Sequence, residues 1–214
     1  MIKKILVSIL PPVIIYLLKP FKKIFDSKNS LFDGDDKLFK QILLNTKIYG
    51  EYGCGKSTIW VANNSECQIL GVDSSEKWID FVQSNMPRKN PRHVLKYVDL
   101  GPILDWGFPS SYRKRENFRD YTDSIWLHEL KPDTVLIDGR FRVCCFLTSL
   151  IKGNPGTKVI FDDYTMREIY HIVEIFVKPK DLCGRQALFI IPDFDHETKS
   201  SIEDLIEKFR YVLD

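Results

Sequence analysis

The sequence predicts an α/β domain, a doubly wound and mostly parallel sheet with helices on both faces, preceded by an apolar helical arm. Three observations lead there. From residue 47 onward, short apolar runs alternate with amphipathic stretches, the pattern of strands joined by crossover helices. A glycine-rich turn, "GEYGCGKS" at residues 50–57, joins the first run to a helical stretch. Successive runs then end at Asp73, Asp99, Asp138 and Asp162, which sets polar groups at strand carboxyl ends, where open α/β sheets bind ligands.

Residues 1–25, "MIKKILVSILPPVIIYLLKPFKKIF", are apolar with lysines on both sides. They lack the small-x-small site of a signal peptide, and Pro11-Pro12 interrupts a segment already short of the roughly 20 residues a membrane helix needs. Lys19, Lys22 and Lys23 beside Phe21, Ile24 and Phe25 suit a segment lying on an anionic membrane surface. Packing on the domain, or in a homodimer contact, suits them equally. A polar linker containing Gly34 follows, so the expected division is an arm and linker at 1–36 and a domain at 37–214.

Within the domain, strands are expected at 47–52, 68–72, 94–98, 134–137, 158–161 and 187–191. Helices are expected at 38–44, 58–63, 76–85, 142–152, 166–176 and 201–211. The five cysteines are odd in number and form no C-x-x-C pair, and Cys144-Cys145 sit in an apolar run, so a reducing, cytoplasmic setting is expected. Lys+Arg 31 against Asp+Glu 29 gives a net charge of only +2, which offers no footprint for nucleic acid. The short basic-aromatic run at 112–119 reads as a solvated or substrate-facing segment.

The glycine turn has two readings. From Gly50 it is G-x-x-x-x-G-K-S, a phosphate loop in which Lys56 meets phosphate and Ser57 meets magnesium. From Glu51 it is E-x-G-x-G-x-S, an acidic glycine turn. The run before it, "NTKIY", is short and polar for the buried central strand a phosphate loop follows. Asp73, about twenty residues past the glycines, stands where an acid accepts hydrogen bonds from ribose hydroxyls. Asp99 ends the third strand, at a place that can face an adenine edge.

Taken in order, "EYGCGKST", "VDSSEKW" and "VDLG" resemble the first three cofactor motifs of the Rossmann-like class I S-adenosylmethionine-dependent methyltransferases. The resemblance implies S-adenosylmethionine as cofactor, bound by Glu51, Gly53, Cys54, Gly55, Ser57, Thr58, Asp73, Ser74, Asp99 and Leu100. "LIDG" and "IFDDY" also look like metal-dependent sugar O-methyltransferases of the macrocin and novobiocin type. That likeness implies magnesium held by Asp138, Asp162 and Asp163, with a sugar or glycan precursor as acceptor. Arg140 is a departure, since that group carries a second acid, its general base, at this position.

Base candidates are therefore Asp138, Asp162, Asp163 and His171. Arg140 and Arg142 have forks suited to an anionic acceptor, and Tyr164 and Trp126 offer ring faces to it. The aromatic stretches at 101–109 and 117–126 fill the longest gap between strands and are the expected acceptor pocket, with His128 in a lid. A phosphate-loop nucleotide hydrolase or kinase, and a methyltransferase-like scaffold without catalysis, stay open as alternatives.

Overall fold

The computed structural model describes residues 31–32, 35–87 and 92–214. The arm at 1–25, with its membrane-surface and dimer readings, lies outside the described residues. Among those described, no helix is long and apolar enough to cross a membrane.

Seven strands form one sheet: β1 (Ile48–Tyr52), β2 (Gln68–Asp73), β3 (Val94–Tyr97), β4 (Thr134–Ile137), β5 (Lys158–Phe161), β6 (Asp181–Cys183) and β7 (Gln186–Ile190). Their spatial order is β3-β2-β1-β4-β5-β7-β6, with the first five parallel and β7 antiparallel to both neighbours. Chain order runs from β1 outward to β3, then returns to β4 on the other flank of β1. The topological switch point therefore lies between the carboxyl ends of β1 and β4, where this kind of sheet opens a crevice.

Among the described residues, six α-helices accompany the sheet: α1 (Lys37–Leu43), α2 (Lys56–Asn64), α3 (Glu76–Ser84), α4 (Phe118–Asp123), α5 (Arg142–Lys152) and α6 (His196–Phe209). The period-2 alternation of β1 assigns them to faces. Tyr49 meets Phe39 of α1 edge-on with ring centroids 5.9 Å apart, and Glu51 bonds the first turn of α2. On the opposite face, a Cβ at Gly50 would strike Ile125 and Pro132 at 2.9 Å, and the Tyr52 hydroxyl donates to the Thr122 carbonyl behind α4. The larger core lies on this second face, where Phe146 of α5 packs against Phe161 and Phe189. With the sheet on one side and α6 on the other, α5 is buried almost all round, its polar Arg142, Thr148 and Ser149 included.

Several elements depart from expectation. Residues 166–176 form 3-10 segments (Tyr164–Met166 and Glu168–Ile175) rather than an α-helix. Tyr170 and Val173 are buried while Ile169, Ile172 and Ile175 are exposed, a strict three-residue repeat that matches three residues per turn. Helix α6 begins at His196 because the Asp195 carboxylate caps it, accepting from the Thr198 N–H at 2.8 Å, ahead of the apolar periodicity expected at 201. Strand β6 is three residues long and largely exposed, so it leaves no apolar signal. The strand before the glycine turn is also not peripheral: β1 is central, and all of it but Ile48 is buried.

Candidate functional site

The crevice at the switch point is built on two glycines. Gly53 follows β1 with φ of 86°, and a Cβ there would lie 2.6 Å from the Gly139 Cα, so the turns after β1 and β4 touch backbone to backbone. Only Gly53, Cys54 and Gly55 separate β1 from α2. Gly50, which would open a phosphate loop, lies within the strand, in register with Leu70 and Val135. A loop that cradles phosphate with its N–H groups needs those residues out of the sheet. Ser57, the magnesium residue on that reading, instead donates its hydroxyl hydrogen to Glu51. The phosphate-loop geometry is thus absent from this turn.

Glu51 is fully buried beneath the turn, accepting from the Ser57 and Thr58 hydroxyls, while Thr58 Oγ1 accepts the Gly55 N–H at 2.8 Å. Glu51, Ser57 and Thr58 therefore brace the turn from below rather than face the crevice, a correction to their expected contact with a cofactor. Burial pushes the Glu51 carboxyl up to about 7, against the hydroxyl hydrogen bonds that favour its charged form. Cys54 is likewise inward, with its sulfur against Gly71 and its carbonyl taking the Trp78 indole N–H.

Asp73 closes the next strand at the edge of the crevice. Its carboxylate accepts the Ser75 N–H at 2.8 Å and the Cys54 and Ser74 N–H groups, tying the end of β2 to the glycine turn, and burial raises it to about 7. Ser74 donates to the Gly107 carbonyl at 2.9 Å, which holds the 101–109 loop over this strand end, with Trp106 exposed at φ of 63°. Asp99 forms an Asx turn with the Gly101 N–H at 2.8 Å and lies 3.7 Å from Lys114. The Leu100 side chain is in the core, so only its backbone can meet a ligand. Above Gly55 a Cβ would meet no heavy atom within 4 Å.

On the other flank, Asp138, Asp162 and Asp163 offer carboxylate oxygens within 4.8 Å of one another. The chain leaves these strand ends through left-handed residues, Phe141 (φ 54°) after β4 and Asp163 (φ 58°) after β5, a strain found where surrounding structure over-determines the backbone. Three arginines serve the three acids. Arg142 pairs with Asp138 at 3.0 Å and Asp163 at 3.2 Å, and Arg185 takes both oxygens of Asp162 and also reaches Asp163 at 3.3 Å. Arg167 lies 3.4 Å from Asp163. The donor set suits a hard cation by chemistry and spacing, but its charge is already matched by guanidinium groups, so it does not offer an anionic cage for magnesium.

Among the base candidates, Asp162 is fully buried and consumed by Arg185 and Gln186, a correction to its expected catalytic role. His171 is stacked on Tyr164 in the exposed 3-10 segment, with its Nε2 3.2 Å from the Tyr164 carbonyl, and makes no hydrogen bond to the three acids among the described residues. Asp138 retains access, with 28% of its side chain exposed. Burial of the carboxyl and the neighbouring Asp162 raise Asp138 to about 8, opposed by Arg142.

The acceptor-side expectations also shift. Trp126 and Tyr164 are core residues: the Trp126 indole N–H donates to the Tyr52 hydroxyl at 2.9 Å, and the Tyr164 hydroxyl donates to Glu174 at 2.7 Å. Their large rings complete the packing on α4 and β5, which leaves no face for a ligand. Residues 127–133 lead into the amino end of β4, away from the crevice, so His128 forms no lid there. Arg140 lies near Asp73 and Asp214 with its Nε buried and without a hydrogen-bond partner. Arg142 is buried within the acid cluster. Sequence reasoning missed Arg167, Arg185 and Gln186, whereas Tyr121, within the expected acceptor stretch at 117–126, is buried and its hydroxyl accepts the Arg140 N–H at 3.1 Å. It also missed Asp214, which caps α5 by accepting the Arg142 N–H at 2.8 Å. A cavity of about 510 Å³ adjoins the cluster, lined by Asp163, Met166, Arg167, Gly184 and Arg185. Only the spacing of "DD" and "GRQ" around one antiparallel pair could have hinted at it.

Neither a family model nor a curated protein matches this sequence. Among solved structures, a methyltransferase-like protein from Silicibacter pomeroyi is similar with a TM-score of 0.68 and 28% sequence identity, over 79% of this chain and 92% of that one. The sheet and its strand-end crevice thus have a methyltransferase fold.

Proposed function

We propose that this chain is an S-adenosylmethionine-dependent methyltransferase acting on a hydroxyl oxygen of a small anionic acceptor, a sugar or glycan precursor. The observation that carries the proposal is the Gly53–Gly139 backbone contact at the β1/β4 switch point, flanked by open space above Gly55 and by the Asp73 carboxylate. The likeness to a methyltransferase-like protein supports methyl transfer as the reaction class. Gly53, Gly55, Asp73 and Asp99 would hold the cofactor, and when bound it supplies an electrophilic methyl group on a positively charged sulfur.

The chain's own residues then supply position more than chemistry. Asp138, at the end of β4, is the accessible carboxyl for an acceptor hydroxyl, and its raised pKa makes proton acceptance effective only as pH approaches about 8. Met166 offers an apolar edge and Arg167 a cation along the neighbouring cavity, the features that support a small anionic acceptor. Residues 1–25, with basic and apolar residues interleaved, support a place at the cytoplasmic membrane face.

Calorimetry of the full chain with S-adenosylhomocysteine and with ATP–magnesium tests the core of the proposal. The homocysteine derivative is expected to bind and Asp73→Ala to abolish the binding; binding of the nucleotide alone would reject the proposal. Label transfer to uronic acids in preference to neutral sugars is expected for the acceptor. Transfer confined to amine acceptors would overturn that part.

A further inference from the structure

Carboxylates brought together at neighbouring strand ends repel one another, and an interior tolerates them only with positive charge among them. The guanidinium of Arg142 supplies that charge from inside the acid cluster, with 4% of its side chain exposed. Its Nε donates to the Gly139 carbonyl at 3.1 Å. One terminal nitrogen donates to the Asp162 carbonyl at 2.9 Å and pairs with the Asp163 carboxylate at 3.2 Å. The other donates to Asp138 Oδ1 at 3.0 Å. With the Asp138 carbonyl 3.5 Å from the same nitrogen, three carbonyls and two carboxylates form an all-oxygen set of the kind that binds a hard cation. The side chain is anchored at both ends, by the Asp214 cap on its own N–H and by the Tyr170 ring 5.9 Å from its guanidinium carbon.

We propose that Arg142 is a built-in cation, a positioning residue that takes the place of a divalent metal among Asp138, Asp162 and Asp163 and sets the Asp138 carboxyl at the crevice. A guanidinium stays charged at every working pH and cannot dissociate, so the cluster needs no metal to hold its shape. The inference rests on the geometry of the cluster alone and stands whether or not the chain transfers methyl groups. Removing the guanidinium should turn the same oxygens into a metal site.

The test is a titration of the full chain with Mn²⁺, reading free ion by electron paramagnetic resonance alongside thermal unfolding. Wild type is expected to show no stoichiometric Mn²⁺ site at these acids and no Tm change on adding EDTA. Arg142→Gln is expected to lose stability, to bind one Mn²⁺, and to regain about 3–6 °C of Tm at ten times its dissociation constant. Adding Asp138→Asn should abolish the uptake, and Arg142→Lys, which keeps a charge in place, should not acquire it. A merely structural arginine would lower Tm in both Arg142 variants with no dependence on Mn²⁺. If Arg142→Gln does not fold, refolding with and without Mn²⁺ becomes the readout, and rescue by the ion supports the proposal. Mn²⁺ uptake by wild type that Asp138→Asn removes would overturn it, as would an Arg142→Gln variant indifferent to the ion in binding and refolding.

Discussion

Two trios of acids end the strands on either side of the switch point, and they are neutralised in opposite ways. On the β1–β3 flank, Glu51, Asp73 and Asp99 are held chiefly by hydroxyl and backbone N–H groups, with one distant lysine. On the β4–β5 flank, Asp138, Asp162 and Asp163 are laced to Arg142, Arg167 and Arg185. Neutral donors orient an acid without an ion pair, so with Glu51 and Asp73 raised to about 7 the first flank offers hydrogen-bonding carboxyls whose charge follows pH. Guanidinium partners cancel charge and lock geometry, so the second flank is a rigid wall with Asp138 as its accessible face. The Gly53–Gly139 contact is the seam between them.

The seam should be the most sensitive point. Gly53→Ala puts a Cβ 2.6 Å from the Gly139 Cα at a left-handed backbone position. Denaturant unfolding is expected to show a loss of about 3 kcal/mol or more, with loss of S-adenosylhomocysteine binding. Wild-type-like stability would mean that the two turns can part. Next comes the arginine-laced flank. Asp162→Asn leaves the Arg185 guanidinium without its bidentate partner, and about 2–3 kcal/mol should be lost, less than for a fully buried pair because Arg185 keeps Asp163 and some solvent. The matching change on the other flank is Glu51→Gln, whose single amide oxygen can still accept from one of the Ser57 and Thr58 hydroxyls while its NH2 faces the other. Its cost should be about 1 kcal/mol. A cost equal to that of Asp162→Asn would erase the distinction between the flanks.

The smallest effect is a pH slope. Glu51 and Asp73, raised to about 7, and Asp138, raised to about 8, keep their protons in the folded chain after the unfolded chain has lost them. The folded state binds more protons across that interval, so the stability these acids contribute is complete at acidic pH and declines as pH rises from about 4 to about 8. Tm of the protein without ligand is expected to fall between pH 5 and 8.5, and Glu51→Gln to flatten the fall below pH 7. A Tm rising over that interval would show that these acids ionise freely when folded.

Much of this was legible in the chain itself. β4, β5 and α5 lie where apolar runs put them, because a buried strand or helix must be largely apolar. The acids at strand ends were also visible, since strand ends are punctuated by polar residues. Their partners were not. Arg185 is 23 residues from Asp162, and Asp214 is 72 residues from Arg142, so no local spacing announces either contact. Trp126 and Tyr164 looked like ligand platforms because an aromatic with a polar tip reads the same in a pocket and in a core.

The sequence by itself determined that this chain makes an α/β sheet with a glycine turn after its first strand and an acid after each of the next. Periodicity and turn chemistry act within a few residues, and a linear pattern records them. Only the tertiary structure decided where the turn and the acids face. It drew Gly50 into the sheet, which removed the phosphate loop, and turned Glu51 inward beneath the glycines. It also set Arg142 among three aspartates from two strands, because charge is matched in space and not along the chain.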